Sequence, residues 1–356
     1  MKRETTMEIT QLIRANIAEL EPYQSARERI QEGTLLDANE NPYDLEWEGV
    51  KLNRYPDPRQ RDLRVALARY LGIESDQVLA GVGSDEVLDW VLKVFCLPGR
   101  DQVAIAEPTY GMYQVMADIF GITSFRFQLD ADFQFRCRSF LESVPPEVKV
   151  LFLCSPNNPT GNLLERDEIL QVARRWGKVV VVDEAYVEFS EEPSLVEELN
   201  ALPNLILLRT LSKAFGRAGM RLGYAAASPE IIRTFMKVKA PYNLSSLIMK
   251  MGCEVMGDPG PYLAQIGKIR KERERVSTRL KEMKQIEEVF SSQANFLLFR
   301  CPKASLVYNQ LLEKGIIVRD RSSLENLENC IRVSIGTPAQ NELFLGELPR
   351  VLESAL

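Results

Sequence analysis

The sequence comprises 356 residues, of which 45% are hydrophobic and 26% are charged. These fractions are typical of soluble globular chains and exclude a disordered or fibrous protein. The formal net charge of −6 argues against a general binder of nucleic acids or of anionic membranes, because such proteins are normally basic. No apolar run approaches the roughly 18 residues that a membrane span requires.

Cysteine and histidine usage narrows the chemistry further. The six cysteines form no C-x-x-C pair and the N-terminal residues open no apolar signal segment, so we expect reduced thiols in a cytoplasmic protein. The chain contains no histidine, which excludes a Ser-His-Asp triad, a Cys-His dyad and a metal site built on imidazole. Acid–base chemistry near neutral pH must then fall to lysine, tyrosine, a carboxylate, a thiol or a bound cofactor.

The predicted elements begin with an N-terminal arm, which contains a helical stretch over 10–20. Leucines four residues apart within 63–71 indicate one face of a helix, and a second helix is expected over 84–95. Strands alternating with helices imply an α/β fold, a large domain with a mostly parallel sheet flanked by helices. Short apolar runs predict strands buried on both faces at 78–82, 103–106, 150–154, 179–182 and 205–208.

The pattern changes after about residue 228. A long charged helix is expected over 261–285, where acids among the bases favour a solvated face over a nucleic-acid site. Strands predicted at 295–299, 316–318 and 330–334 indicate a smaller α+β domain. We therefore expect an arm at 1–45 that joins the small domain, a large domain at 46–245 and a small C-terminal domain at 246–356.

Lys213 is the best candidate for a reactive lysine. It follows an apolar strand, where loops of α/β sheets place ligands. The hydroxyls of Thr210 and Ser212 lie beside it in the sequence, and Arg221 follows among several glycines. This composition suits an anionic cofactor, because arginine forks onto phosphate oxygens and glycine allows close backbone approach. A surface lysine in an ordinary polar loop is the alternative.

Acidic and amide side chains follow two further strands. Asp183 ends the run V-V-V-V-D, and Tyr186 comes three residues later. A buried carboxylate is unfavourable unless it meets a cation or a strong donor, so a protonated pyridine nitrogen would suit it. The turn S-P-N-N-P-T-G presents Asn158 at the sheet edge. A helix-capping aspartate and a plain turn are the alternatives.

A glycine turn precedes the helix that is expected from residue 84. The segment G-V-G-S-D-E places Ser84 and Asp85 at the start of that helix. Free backbone N–H groups at a helix N-terminus can hold a phosphate. Alternatively, Ser84 is simply an N-cap and Asp85 complements the helix dipole.

Together these motifs resemble, in order and spacing, the fold type I pyridoxal-phosphate enzymes of the aspartate-aminotransferase family. Asn158 in N-P-T-G precedes Asp183 in D-x-x-Y by 25 residues, and Lys213 in S-K-x-x-G follows 30 residues later. The resemblance covers essentially the whole chain. Within the family, R-Y-P-D-P at 54–58 and I-R-V-S-I-G at 331–336 are similar to the histidinol-phosphate aminotransferase branch.

The resemblance implies pyridoxal 5′-phosphate as the cofactor. Lys213 would form a Schiff base with it, and Asp183 would keep its ring nitrogen protonated. Tyr186 and Asn158 would bind the 3-oxygen of the ring, and Tyr110 would stack on its face.

The resemblance also assigns the cofactor phosphate and a second subunit. The phosphate would rest on the backbone N–H groups of Ser84 and Asp85, with Thr210, Ser212 and Arg221 completing the site. Tyr55 would reach the phosphate of the other subunit, which implies a homodimer.

For substrates, the resemblance implies small molecules and assigns anion binding to two arginines. Arg332 would bind a carboxylate or the equivalent phosphate, Arg319 would bind a second anionic group, and Tyr23 and Asn39 would line the pocket. An ion pair at the surface or between domains is the alternative for each arginine.

The implied reaction is transfer of an amino group between L-histidinol phosphate and 2-oxoglutarate or glutamate. A threonine-phosphate decarboxylase and an aromatic-amino-acid aminotransferase of the same fold are alternatives. A transcriptional regulator is a weakly supported alternative, because no helix-turn-helix pattern precedes the cofactor motifs.

Overall fold

The computed structural model describes residues 9–23, 25–27, 33–44, 46–47 and 49–355. The outer parts of the expected arm, at 1–8 and 28–32, lie outside these residues. No helix in the described ranges is both long enough and apolar enough to cross a membrane.

A seven-stranded sheet forms the centre of the described chain, in the spatial order β1-β7-β6-β5-β4-β2-β3. Neighbouring strands from β6 through β5, β4 and β2 to β3 run parallel, whereas β7 is antiparallel to both β6 and β1. The expected α/β fold is therefore confirmed. The strands are β1 Val78–Val82, β2 Gln102–Glu107, β3 Thr123–Gln128, β4 Val148–Cys154, β5 Val179–Asp183, β6 Leu205–Thr210 and β7 Leu222–Ala227.

Helices cover both faces of this sheet, so its central strands are buried on both sides. In β4, Val150 and Phe152 pack into one core while Leu151 and Leu153 pack into another. This two-sided burial explains the near-continuous apolar runs. The helices up to residue 257 are α1 Ala15–Ala18, α2 Arg61–Leu71, α3 Gly83–Phe95, α4 Met112–Ile119, α5 Cys137–Ser143, α6 Arg166–Arg175, α7 Pro229–Val238 and α8 Ser246–Gly257.

A smaller antiparallel sheet lies in the C-terminal part, in the order β10-β11-β9-β8. Its strands are β8 Glu288–Val289, β9 Phe296–Arg300, β10 Arg319–Asp320 and β11 Cys330–Ser334, and its helices are α9 Gly260–Lys281, α10 Ala304–Glu313 and α11 Pro338–Ala355. A separate apolar core joins β9 and β11 to α9, α10 and α11. The charged helix expected over 261–285 is α9.

The prediction of a strand at 316–318 is wrong. The short strand in this region is β10, which begins one residue later, at Arg319, and pairs with β11. Three strands, β3, β7 and the two-residue β8, have no counterpart among the predicted strands. β7 has the sequence L-G-Y-A-A-A, whose small residues lack the β-branched pattern typical of strands. It forms because β1 and β6 hold its backbone from both sides.

The N-terminal arm differs from expectation in shape and in position. Instead of one helix over 10–20, a 3-10 turn at Ile9–Leu12 precedes the single-turn helix α1. Ile9 and Ile17 pack into a core of the larger sheet, and the Arg14 amide donates to the Val94 carbonyl at 2.9 Å. Residues 9–18 therefore dock on the large domain, whereas we expected the arm to join the small one.

The division at 245/246 stays a prediction. α8 begins just after it, yet Gly252 of α8 packs against Leu63 of α2 and Leu222 of β7. The compact unit around the larger sheet thus includes a helix that the expected division assigns to the small domain.

Gly223 of β7 lies so close to the start of α3 that a Cβ atom there would collide with the Ser84 backbone nitrogen and the Gly83 carbonyl carbon. Backbone atoms cannot rotate away as a side chain can. We expect Gly223→Ala to lower the free energy of unfolding by about 2–3 kcal/mol, measured by urea denaturation.

Gly267→Ala serves as the matched control. Gly267 lies in α9, and a Cβ atom added to it would have no heavy atom within 4 Å outside its own helical backbone and chain neighbours. This change should raise stability by about 0.5–1 kcal/mol. Equal stabilities of the two variants would contradict the close packing at Gly223.

Candidate active site

The principal candidate site is a cavity of about 510 Å³ at the carboxyl ends of the parallel strands. Loops after β4, β5 and β6 meet there, as ligand-binding loops do in open α/β sheets. The smaller sheet lines the other side through Arg319, Arg321 and Arg332 in and beside β10 and β11. The lining residues are Gly83, Ser84, Asp85, Tyr110, Cys154, Asn158, Asp183, Ala185, Tyr186, Thr210, Ser212, Lys213, Ala218, Arg221, Arg319, Arg321 and Arg332.

Lys213 follows β6 and extends its ammonium group into this cavity. The Lys213 Nζ lies 5.7 Å from the centre of the Tyr186 ring. Partial burial lowers the Lys213 pKa from its usual value, and the positive charge of Arg332 lowers it further. A larger fraction of this amine is therefore neutral near pH 8 than in a free lysine, which suits a base or a nucleophile.

Asp183 ends β5 and is buried below the same cavity. Burial raises the Asp183 pKa to about 6, although a hydrogen bond from Tyr113 counteracts part of that rise. The Tyr113 hydroxyl donates to Asp183 Oδ2 at 2.8 Å, and the Ala185 amide donates to Oδ1 at 3.0 Å. This carboxylate has two neutral donors and would be stabilised by a cation placed at the cavity floor.

A buried ion cluster on the opposite face holds the ends of β5 and β6 together. Arg209 precedes Thr210 and donates to Glu184 at 3.1 Å and to Glu188 at 2.6 Å. Because side chains alternate along a strand, Asp183 and Thr210 face the cavity while Glu184 and Arg209 face away. The cluster thus fixes the two strand ends that carry the site.

Polar groups at the other end of the cavity form a cradle. Ser84 lies in the first turn of the 13-residue helix α3. The Thr210 hydroxyl and the Ser212 hydroxyl lie 3.0 Å apart, and Arg221 Nη2 lies 3.5 Å from Asp85. A Cβ on Gly83 would come within 2.7 Å of Arg221 Nη2. Backbone N–H groups, two hydroxyls and a guanidinium therefore converge, as phosphate binding requires.

Hydrogen bonds link the loops after β4 and β5 to strand β11, through Asn158, Tyr186 and Arg332. The Asn158 side-chain amide donates to the Tyr186 hydroxyl at 3.4 Å, and Arg332 donates to Asn158 Oδ1. Burial raises the Tyr110 pKa to about 12, so this ring is a neutral phenol at the cavity wall.

The structure brings together most of the residues expected at the site but leaves three elsewhere. The Tyr23 side chain is exposed. Asn39 and Tyr55 line another cavity, of about 330 Å³, and Tyr55 stacks on Tyr242 with ring centres 4.4 Å apart. Within a single chain, none of these three lines the principal cavity.

Sequence reasoning missed two residues of consequence: Tyr113, which is buried and donates to Asp183, and Arg321, which lines the cavity. Tyr113 lies one helical turn after Tyr110, a spacing that indicated nothing beyond a helix face. Arg321 lies two residues after Arg319, the same-face spacing of a strand, and that alternation could have identified it.

The family model described as aminotransferase class I and II matches residues 16–348 of the chain. The chain belongs to this family. Proteins named histidinol-phosphate aminotransferase from Parabacteroides distasonis and Bacteroides fragilis are 42% and 43% identical to this aminotransferase. Each alignment covers 96% of this chain, with 98% and 99% of the respective relative.

A crystal structure supports the same assignment. Histidinol-phosphate aminotransferase from Sinorhizobium meliloti, solved in complex with pyridoxal-5′-phosphate, superposes with a TM-score of 0.79 at 26% identity. The superposition covers 86% of this chain and 84% of that one. The family resemblance inferred from the motifs is therefore confirmed.

The buried Asp183 predicts a particular dependence of stability on pH. Because its folded-state pKa of about 6 lies above the ordinary 3.8, the folded protein holds this proton more tightly than the unfolded chain. The resulting stabilisation is fully present below pH 4 and is lost as the pH rises through 6. We expect Asp183→Asn to stabilise the ligand-free aminotransferase by about 1–3 kcal/mol at pH 8, with no difference near pH 4.

Urea denaturation at pH 4, 6 and 8 measures this effect. Asp130→Asn is the control: partial burial raises the Asp130 pKa, but hydrogen bonds from Gln134, Arg136 and Asp132 outweigh it and the net pKa is lowered. That variant should lose stability at pH 8. A destabilised Asp183→Asn protein at pH 8 would contradict the assigned burial effect.

Proposed function

We propose that this aminotransferase binds pyridoxal 5′-phosphate and transfers an amino group between L-histidinol phosphate and 2-oxoglutarate or glutamate. The observation that carries the proposal is the convergence of Lys213, with its lowered pKa, and the buried carboxylate of Asp183 in one cavity. The choice of L-histidinol phosphate as the substrate follows from the names of the relatives reported above.

The cavity residues fit the cofactor. Asp183 would pair with the ring nitrogen, whose positive charge compensates the buried carboxylate. When bound, pyridoxal phosphate supplies an aldehyde for the amino group and a ring that withdraws electrons. The phosphate would be held by the backbone N–H groups of Ser84 and Asp85 at the start of α3, together with Thr210, Ser212 and Arg221.

Orientation of the ring falls to three side chains around it. Tyr110 would lie against one face of the ring. The Tyr186 hydroxyl and the Asn158 amide would donate hydrogen bonds to its 3-oxygen, since they already lie within 3.4 Å of each other. The Tyr113 hydroxyl holds the Asp183 carboxylate in place from below.

Lys213 carries the proton transfers. Its neutral amine would accept the proton from the substrate Cα at Nζ and would deliver it to the carbon that carries the cofactor's aldehyde, so one side chain acts as base and then as acid. Burial and the nearby positive charge of Arg332 keep the Lys213 pKa below its usual value. A chain without histidine therefore has a side chain that can serve as its general base.

Arginines of the small domain would bind the anionic ends of the substrates. Arg332 faces the cavity beside Asn158 and would bind a carboxylate or the equivalent phosphate, and Arg319 would bind a second anionic group. Both offer the two-pronged geometry that carboxylates and phosphates match. Threonine-phosphate decarboxylation and aromatic transamination are not favoured, because the relatives at about 40% identity carry a different name.

A homodimer in the cytoplasm is the proposed working form. The described residues of the segment 33–55 expose five large apolar side chains, which a second copy would cover. Tyr55, Asn39 and Tyr23 would then reach the partner's cavity, which explains their absence from the cavity of their own chain. The exposed side chains are Leu36, Tyr43, Trp47, Leu52 and Tyr55.

The reaction is tested by following glutamate formation from L-histidinol phosphate and 2-oxoglutarate with protein fully loaded with cofactor. We expect turnover, and Lys213→Ala should reduce kcat by at least about 10⁴-fold because its proton transfers have no substitute. Lys213→Arg keeps the charge but cannot lose its proton, so it should be equally impaired. Turnover with phenylalanine but not with histidinol phosphate would reject the proposed substrate.

Subunit sharing is tested by mixing two impaired variants, Lys213→Ala and Tyr55→Ala, after joint unfolding and refolding. In a mixed dimer, the site with an intact Lys213 also receives the intact Tyr55 of the other chain. Random pairing should therefore restore about a quarter of wild-type activity, as expected for a two-fold dimer. If the mixture regains no activity, Tyr55 does not contribute to the site of the other subunit, and the proposed sharing is wrong.

A further inference from the structure

Arg321 is a cavity-lining guanidinium that forms no salt bridge with the described residues. Its Nε is buried and has no hydrogen-bond partner in the described part of the chain. Burial lowers the Arg321 pKa from its usual value, and repulsion from Arg319 lowers it further. Neither the motifs nor the proposed roles above use this side chain. An unpaired, half-buried cation that lines a substrate cavity points to an anion supplied from outside the protein.

The small sheet places Arg321 beside the two arginines already assigned to substrate binding. β10 pairs with β11 so that Arg319 lies opposite Arg332, and the Arg321 amide continues the ladder by donating to the Cys330 carbonyl at 2.8 Å. Because side chains alternate along a strand, Arg321 shares the face of Arg319. All three guanidinium groups therefore line the same side of the cavity.

The charges at this end of the cavity are not balanced by the protein. Among the described residues, no salt bridge joins Arg319, Arg321 or Arg332 to a carboxylate. The adjacent Asp320 accepts hydrogen bonds from Ser305 and Ser322 instead.

The carboxylates of the cavity lie elsewhere. Asp183 and Asp85 are at the cofactor end, where Asp85 faces Arg221. The positive charge of three arginines without a counter-charge is larger than a single substrate carboxylate would neutralise.

We infer that Arg321 determines specificity for a phosphomonoester on the amino donor, by donating to phosphate oxygens alongside Arg332. This inference rests on the proposed function and adds a residue to it. A phosphate dianion offers three acceptor oxygens and close to two negative charges, whereas a carboxylate offers two oxygens and one charge. The third guanidinium therefore favours phosphorylated donors over donors that lack the phosphate.

The test compares L-histidinol phosphate with L-histidinol, which differ only in the phosphate. Arg321→Gln should lower kcat/KM for histidinol phosphate by about 10- to 100-fold, the usual effect of a lost charge-assisted contact. The same variant should change kcat/KM for histidinol by less than about threefold. Arg321→Lys keeps the charge but not the fork, so its loss on histidinol phosphate should be intermediate.

Arg126→Gln is the matched control. Arg126 lies at an adjoining cavity, where it pairs with Glu107 at 3.6 Å, and its loss changes the net charge by the same amount. It should leave the ratio of the two kcat/KM values unchanged. The inference is overturned if Arg321→Gln lowers kcat/KM equally for histidinol phosphate and histidinol. It is also overturned if Arg126→Gln changes the ratio of the two kcat/KM values as much as Arg321→Gln does.

A binding measurement separates this inference from the proposed function. Cofactor-loaded protein is titrated with inorganic phosphate and with acetate, with the cofactor absorbance as the signal. Phosphate should bind at least about tenfold more weakly to Arg321→Gln than to the unmodified protein, while acetate binding changes little. If histidinol phosphate is not turned over but this difference is found, the proposed substrate fails and the role of Arg321 stands. Equal phosphate binding by both proteins overturns the inference.

Discussion

The site depends on one buried carboxylate. Asp183 ends a strand that is buried on both faces, and its two donors, a phenol and a backbone amide, are neutral. An isolated charge in such a place is destabilising, as the raised pKa of about 6 shows. A cationic ring nitrogen would remove this penalty, so the ligand-free fold holds an unfavourable interaction that its cofactor relieves. The ion cluster around Arg209 on the opposite face secures the strand ends against that strain.

Under the proposed function, the absence of histidine would concentrate the acid–base chemistry on Lys213. Burial and the charge of Arg332 lower the pKa of this lysine, and the same arginine donates to Asn158 across the two sheets. Under the proposed function, Arg332 would therefore influence substrate binding, ring orientation and proton transfer. An anion bound at Arg332 would weaken its electrostatic effect on Lys213, so the Lys213 pKa should depend on whether substrate is present.

Positive charge is divided between two ends of the cavity. Under the proposed function, Arg221 and the start of α3 would serve the cofactor end, whereas the arginines of β10 and β11 would serve the substrate end. This separation lets the two anionic groups bind without competing for one cation. It also requires both sheets, because the large sheet alone supplies one end and the small sheet supplies the other.

The motifs at the strand ends were predictable because each follows a recognisable apolar run. Asn158 lies just after β4, Asp183 ends β5 and Lys213 lies just after β6. Parallel strands bring their carboxyl ends to one edge of the sheet, so these three residues are expected to meet there. The α/β class follows from the same runs. Tertiary structure alone decided the rest. The Tyr113 contact with Asp183 joins α4 to β5 across the sheet, β7 is a strand because its neighbours pair with it, and Arg321 faces the cavity because β10 pairs with β11 rather than forming at 316–318. These features depend on contacts between residues that are distant in the chain, and no local periodicity encodes them.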